Sequence, residues 1–535
     1  MNKELDTINM NDPDARADLA LLTKDIEVLK WFIPDVEPSV RLNIIKNPLF
    51  NRDLFTKIKY DEYELNTALL KTKILTRKER KNIQEKLGLI KQTNKINKSF
   101  CPLPWNHLGI TTNGDIRACC QMIYKPYGML DINVKDVTNI NSVRNLSILK
   151  NVRKEMLSGK KPKLCNLCWL EEDNDLKSKR IHQNMIYSGM FSLAKKYTKN
   201  NGEIDTDNIP LNYLDLRLGN KCNLRCRSCG PTESDQWYKD CNALGTNEII
   251  FYDTKTYKLE NIDGTITINT NDFNWPQATN FLDQILDTYK NINRLYFTGG
   301  EPTINIPHIQ FLEKLIDKKM AKHIYLEYNS NGMAMPERLL NIWKNFDGIG
   351  IGFSIDGIDK RFEYLRYPGK WNKFINTLKK LDKFYSSFSN FRSSLAPTIS
   401  IYNFIHMLDM QEFVFTKTPK WFSKDIPIHV LEGPDYMSAK ILPNYAKEKI
   451  KIIYENWFET LNNINIVLVP PNHHSHIKST TIKSFTGLLN YLNDESLNNE
   501  QLLNDFYIKT EIMDKQRNQN WKETFPELNE ILINK

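Results

Sequence analysis

Cys222, Cys226 and Cys229 stand in LDLRLGNKCNLRCRSCG as C-NLR-C-RS-C, three thiols on one tight loop directly after a short apolar run that reads as a strand. Closed zinc sites and fully protected iron–sulfur clusters take four protein ligands. Three thiols at this spacing point to a cubane cluster with one iron left open to an outside ligand. A zinc knuckle that borrows its fourth ligand from elsewhere is the alternative.

Gly299-Gly300-Glu301-Pro302 closes the strand-like run RLYFT further along the chain. Paired glycines there let the backbone approach a small polar ligand without a Cβ in the way, and the carboxylate adds a fixed acceptor. Taken in this order, the cysteine loop and GGEP resemble the signature of the radical S-adenosylmethionine (radical SAM) superfamily. The resemblance implies that the open iron chelates S-adenosylmethionine and that Gly299, Gly300, Glu301 and Pro302 hold its methionine amino group. It further implies that Ser354, in SIDG, and Arg366, in EYLR, contact the carboxylate or ribose. The family places an aromatic residue before the third cysteine, where this chain has Ser228.

From Asn212 to Leu431 the strand candidates YLDLRL, RLYFTG, IYLEYNS, GIGIGFSI, PTISIY and PIHVL alternate with helical segments. Such alternation indicates an α/β fold of parallel βαβ units. By resemblance it is the partial (β/α)6, TIM-like radical SAM barrel, assigned to 205–435. The stretch 247–272 reads as a hairpin inserted after the first barrel strand and turning at Asp263-Gly264, where it is in a position to cover the site.

A second cysteine set precedes the barrel. Cys101, twelve residues, Gly114, four residues and Cys119 are followed by Cys165 and Cys168 in C-NL-C. Four thiolates from two segments make a closed metal site, for which a [4Fe–4S] cluster and a tetrahedral zinc ion compete. The first segment resembles the opening of SPASM and twitch auxiliary-cluster domains, which implies a second [4Fe–4S] cluster in a small cysteine-rich domain at 96–175. Those domains usually follow the barrel, and this one comes before it. Cys120 and Cys241 remain over and read as small buried hydrophobes. His473, His474 and His476, in PNHHSHIK, read as an exposed loop.

The remaining segments are a helical leader at 1–95 and a mostly helical extension at 436–535 with one strand-like piece, INIVLV. Nine cysteines, a polar amino-terminal stretch and the lack of any long apolar run place the chain in the cytoplasm, away from membranes. The formal charge of +9 draws largely on the stretch from Lys71 to Lys98, read as a solvated basic face. The expected activity is reductive cleavage of S-adenosylmethionine for C–H activation on a peptide or protein, with electrons from a donor such as a flavodoxin or ferredoxin. RNA or nucleotide modification is one alternative, and a non-catalytic zinc- or cluster-binding protein is the other.

Overall fold

The computed structural model describes residues 12–35, 38–57, 98–122, 129–173, 178–251, 255–431, 433–494 and 500–533, with residues 9, 68–69, 72, 74–76, 79–80, 83 and 497. Most of the basic stretch from Lys71 to Lys98 lies outside these residues. Two compact units result: Met1–Pro102 with Gln183–Tyr197, and Leu103–His182 with Thr198–Lys535.

In the first unit, α1 (Pro13–Leu22), α2 (Ile26–Phe32) and α3 (Pro38–Lys46) bury Ala20, Val28, Leu29, Phe32 and Ile44 against one another. Asp12 accepts from the Asp14 N–H, and Pro13 opens the first turn, where its missing N–H costs nothing. At the other end of α1, Asn47 Nδ2 donates to the carbonyls of Ala20, Leu21 and Thr23 at 3.1, 3.0 and 2.9 Å.

The second unit is a mixed α/β body. Its central sheet contains β1 (His107–Ile110), β2 (Asp115–Arg117), β3 (Met129–Asn133), β4 (Tyr213–Leu216), β8 (Arg294–Phe297), β9 (Tyr325–Ser330), β10 (Gly348–Phe353) and β11 (Phe391–Leu395). The order across it is β11-β10-β9-β8-β4-β1-β2-β3. From β11 to β1 every pairing is parallel, and β2 and β3 close the edge antiparallel. The sheet is mostly parallel, in line with the α/β alternation of the sequence, and the cysteine-rich segment shares it, because β1 pairs with β4 in register from His107 opposite Tyr213.

Alternation sorts the two faces of the sheet. Leu295, Phe297, Leu326, Tyr328, Ile349 and Ile351 are fully buried on one of them. Each full burial of such a side chain contributes roughly 2–3 kcal/mol. Phe297 stacks on Tyr328 at 5.5 Å, and Tyr328 Oη accepts from Trp343 Nε1 at 2.9 Å and lies 3.0 Å from His308 Nε2. The opposite face presents Tyr296 and Glu327 in one row with Asp215.

Three expectations need correction. The fifth parallel strand is Phe391–Leu395, and PTISIY contributes only β12 (Thr398–Ile399), which pairs with β13 (His429–Val430) apart from the main sheet. INIVLV is no strand: its Val467 N–H donates to Phe415 O at 2.9 Å, at the end of a helix, and Leu468 takes a φ of 60° that breaks extension. The histidines of PNHHSHIK form a helix start instead of a loop, since Pro471–His473 is a 3-10 turn that runs into the helix His474–Leu492. The insertion is a three-stranded meander of β5 (Glu248–Phe251), β6 (Lys255–Ile262) and β7 (Thr265–Ile268). Asp263 and Gly264 both take positive φ at its turn, as the tight hairpin requires. Tyr257 Oη anchors the meander, accepting from Asn113 Nδ2 at 3.0 Å and donating to Asp272 at 3.0 Å.

Among the described residues, no helix is long and apolar enough to cross a membrane.

Candidate functional site

The cysteine loop leaves the carboxyl end of β4, and two other segments pin its backbone. Arg225 N–H donates to Tyr367 O at 2.8 Å and Arg227 N–H to Leu365 O at 2.7 Å. From the other side Gly300 N–H donates to Glu233 O and Glu301 N–H to Lys221 O, both at 2.9 Å. Gly300 has a φ of +61°, and a Cβ there would come within 2.2 Å of Lys221 O. The paired glycines thus do more than open room for a ligand: they let the GGEP turn lie directly against the cysteine loop.

Glu301 holds this corner together. Its Oε1 accepts from Thr303 N, Thr303 Oγ1 and Ser330 Oγ at 3.1, 2.7 and 2.9 Å, and Oε2 accepts from Asn331 N at 2.7 Å. Burial pushes the carboxyl up from its ordinary range, and the four donors pull the other way. Asn331 Nδ2 in turn donates to Asn223 Oδ1 on the cysteine loop at 2.8 Å, so NSNG, GGEP and the loop form one connected network. Pro302 opens the 3-10 turn after GGEP.

The thiols of Cys222, Cys226 and Cys229 come together within one another's fields. Burial, then Cys226 and Glu301, push Cys222 up to about 12. Burial, then Cys226 and Cys222, carry Cys229 well above its ordinary value. Cys226 Sγ lies 3.6 Å from Arg366 Nη1, and Trp237 Nε1 donates to the Cys226 carbonyl at 2.8 Å. Among the described residues, no three His, Cys, Asp or Glu side chains converge on a point where a single metal ion would sit.

Arg366 is buried, not on a helix surface. It pairs with Asp356, which also accepts from Ser228 Oγ at 3.1 Å and Thr398 N at 2.8 Å. Ser228, standing where the family has an aromatic ring, therefore ties the loop to the end of β10. Ser354 is half-buried beside it, with its N–H on Ser330 O at 2.8 Å.

Spacing gave no hint of the charged groups behind the loop. Asp240, on the helix α4 (Tyr238–Ala243), is fully buried and pairs with Arg225 at 3.2 Å and Arg517 at 2.8 Å. Asp514 pairs with Arg227, whose guanidinium lies 3.9 Å over the Tyr364 ring. Both partners from the carboxyl-terminal part lie on α5 (Glu500–Arg517).

The second cysteine set is divided between the units: Cys101 belongs to the first, and Cys119, Cys165 and Cys168 to the second. All four are buried. Burial and then Cys168 push Cys165 up to about 12. Gly114, at φ +85°, makes the turn between β1 and β2 against Val134 and Trp275. Cys120 departs from the expected small hydrophobe, because its Sγ is 2.8 Å from Lys179 Nζ. A hydrogen bond from Cys119 and the Lys179 charge hold its thiol down at about 5. Cys241 is a buried hydrophobe, packed with Trp237 and Met513.

Residues 216–411 match the radical SAM superfamily. This chain contains a radical SAM domain. A GTP 3′,8-cyclase from Actinobacillus succinogenes is 28% identical over 137 residues, covering 26% of this chain and 37% of the relative's length. Among solved structures, native anSMEcpe with bound AdoMet aligns at 18% identity and a TM-score of 0.30, over 48% of this chain and 64% of that one. Streptococcus suis SuiB bound to S-adenosylmethionine aligns at 14% identity and a TM-score of 0.25, over 62% and 53%. The cysteine loop, GGEP, NSNG, Ser354 and Arg366 all fall inside the radical SAM domain, whereas the second cysteine set and α5 fall outside it.

Proposed function

We propose that the protein is a radical SAM enzyme in which Cys222, Cys226 and Cys229 hold a [4Fe–4S] cluster with one iron free of protein ligands. When bound, that cluster and S-adenosylmethionine supply one-electron cleavage of the sulfonium to methionine and a 5′-deoxyadenosyl radical, which takes a hydrogen atom from a C–H bond.

The observation that carries the reading is the mutual proximity of three thiols, Cys226 buried and Cys222 and Cys229 half-buried, on one loop with cationic neighbours. Arg366 reaches the Cys226 sulfur, and Arg517 also acts on that thiol, its Nη1 buried without a hydrogen-bond partner among the described residues. Guanidinium groups beside thiols favour the thiolate form that a cluster needs.

The chain's own contribution is to place and shield the reacting groups. The glycines seat GGEP against the loop, Glu301 fixes NSNG beside it, and the Arg366–Asp356 pair fixes Ser228. Gly299, Gly300, Glu301 and Pro302, with Ser354 and Arg366, are the residues proposed to receive S-adenosylmethionine. Cys101, Cys119, Cys165 and Cys168 are proposed to hold an auxiliary [4Fe–4S] cluster. The proposed substrate is a peptide or protein, and the electron comes from a flavodoxin- or ferredoxin-type donor.

Anaerobic reconstitution with iron and sulfide, followed by reductant and S-adenosylmethionine, tests the reading. Iron-dependent formation of 5′-deoxyadenosine that is lost in Cys222→Ala supports it. A colourless zinc protein that leaves S-adenosylmethionine intact overturns it. Turnover with candidate peptides and with RNA, followed by mass spectrometry, assigns the substrate class.

A further inference from the structure

The face of the sheet opposite His308 and Trp343 holds polar groups that the cysteine loop and GGEP do not use. Across its middle row Gly109 stands opposite Asp215, Asp215 opposite Tyr296, and Tyr296 opposite Glu327. Two acceptors on this face, Asp215 Oδ1 and His107 Nε2, are buried without a hydrogen-bond partner among the described residues, and both residues are 2% exposed. His107 Nδ1 lies 3.2 Å from Ala118 O, so Nδ1 carries the ring proton and Nε2 is left as an acceptor. Gly109 puts no side chain between the two: His107 Cε1 is 3.6 Å from where a Cβ of Gly109 would stand, and the Asp215 charge acts on the ring. Buried acceptors left without a donor are costly, and a donor from outside the chain relieves them.

Lys179, the first residue of the helix Lys179–Ile186, brings a donor to the same face. Its Nζ lies 2.8 Å from Cys120 Sγ, 5.4 Å over the Tyr296 ring and 5.8 Å over the Tyr213 ring, within the field of Asp215. An ammonium has three N–H donors, and Cys120 takes one of them. Arg294, next along the face, is spent on Glu327. Two acceptors beside one donor match the edge of a primary carboxamide, whose NH2 group donates twice and whose carbonyl accepts. A carboxylate would bring Asp215 a like charge and no donor. An ammonium would bring Lys179 a like charge and no acceptor.

Resting on the peptide reading above, we propose that Asp215, His107 and Lys179 form a specificity site for the side-chain carboxamide of an asparagine or glutamine in the substrate. The NH2 group donates to Asp215 Oδ1 and His107 Nε2, and the carbonyl accepts from Lys179 Nζ. The placement suits the chemistry, because β4, which carries Asp215, runs on into the cysteine loop, and β8, which carries Tyr296, runs on into GGEP.

Cys120 is half-buried beside Lys179 and reports on occupancy. The full chain, reconstituted with iron and sulfide, is treated with methyl methanethiosulfonate, a small reagent without N–H or O–H groups, and mass spectrometry follows methylthiolation at Cys120. N-acetyl-glutamine methylamide slows that reaction at about tenfold lower concentration than its glutamate counterpart, the scale of one hydrogen bond to a charged group. Asp215→Leu removes the difference. His107→Phe, which keeps a ring against Tyr213, shrinks it. Rates with and without the compound are compared within each variant, so a change in the reactivity of Cys120 itself cancels. Equal potency of the two compounds overturns the site, and so does a difference that survives in Asp215→Leu. No slowing by the glutamine compound also overturns it, since water alone then meets the two acceptors. Slowing by guanosine in place of the glutamine compound assigns the site to a nucleobase and overturns the carboxamide. 5′-Deoxyadenosine formation in the same samples tests the enzyme reading separately: protection of Cys120 without it leaves the site standing while the radical reading falls.

Discussion

Arg366 touches Cys226 through the same guanidinium that neutralises Asp356: Nη1 lies 3.6 Å from the sulfur while Nη2 donates to the carboxylate at 2.8 Å. Removing it leaves Asp356, 1% exposed, with Ser228 and Thr398 as its donors among the described residues. Arg366→Gln is expected to cost about 3–5 kcal/mol, as breaking one side of a buried ion pair does. Urea denaturation measures the loss. Adding Asp356→Asn is expected to cost less than the sum of the two singles by about 1–3 kcal/mol. Simple additivity would show that the pair is not coupled.

Gly300→Ala tests the seating of GGEP on the cysteine loop. The left-handed backbone alone costs an alanine about 1–2 kcal/mol, and here the new methyl would also meet Lys221 O at 2.2 Å. Gly264→Ala serves as the comparison, since Gly264 also has positive φ, at +80°, but faces open space. The Gly300 variant should lose clearly more stability in urea and bind less iron on reconstitution. Equal effects at the two positions would mean that the loop yields to the added methyl.

Glu301→Gln replaces one carboxylate oxygen with an NH2 group that must face existing donors. Whichever way the amide turns, either the Asn331 N–H or the three donors on Oε1 lose their acceptor. The expected destabilisation is about 1–3 kcal/mol. Hydrogen exchange at the Asn331 amide should rise with it, while exchange at Asn47, in the other unit, stays as it was.

The parts of this fold and site that were readable in the sequence are those with local signals. Three cysteines within eight residues have to meet because the chain between them is short, and Gly299-Gly300 after RLYFT marks a turn at a strand end. Asp240, Asp514 and Arg517 were illegible because a partner 277 residues away leaves no periodicity or spacing. The strand Phe391–Leu395 escaped notice because its centre is Arg-Ser-Ser; only the burial of Phe391, Ser393 and Leu395 on one face reveals it. The pairing of β1 with β4 joins segments more than a hundred residues apart, and register of that kind is decided by packing alone. The helix beginning at His474 did carry a signal in Pro471, a residue suited to the first turn. Adjacent histidines drew the reading toward a loop instead.

Acid should weaken the second unit through His308. Its ring is 1% exposed between Phe297 and Tyr328, and burial pushes its pKa from the ordinary 6.5 down to about 3. Below about pH 6.5 the unfolded chain binds a proton on this histidine and the folded chain does not, so unfolding gains. The stability is fully present above the unfolded value and drains away as pH falls toward 3. His107, held by burial at about 4, acts in the same direction. His308→Phe loses the contact with Tyr328 Oη, which still accepts from Trp343 Nε1. Its urea midpoint should therefore lie below the parent's near neutrality and depend less steeply on pH between about 6.5 and about 4. Curves that stay parallel across that range would mean that His308 takes up its proton in the folded state as readily as in the unfolded one.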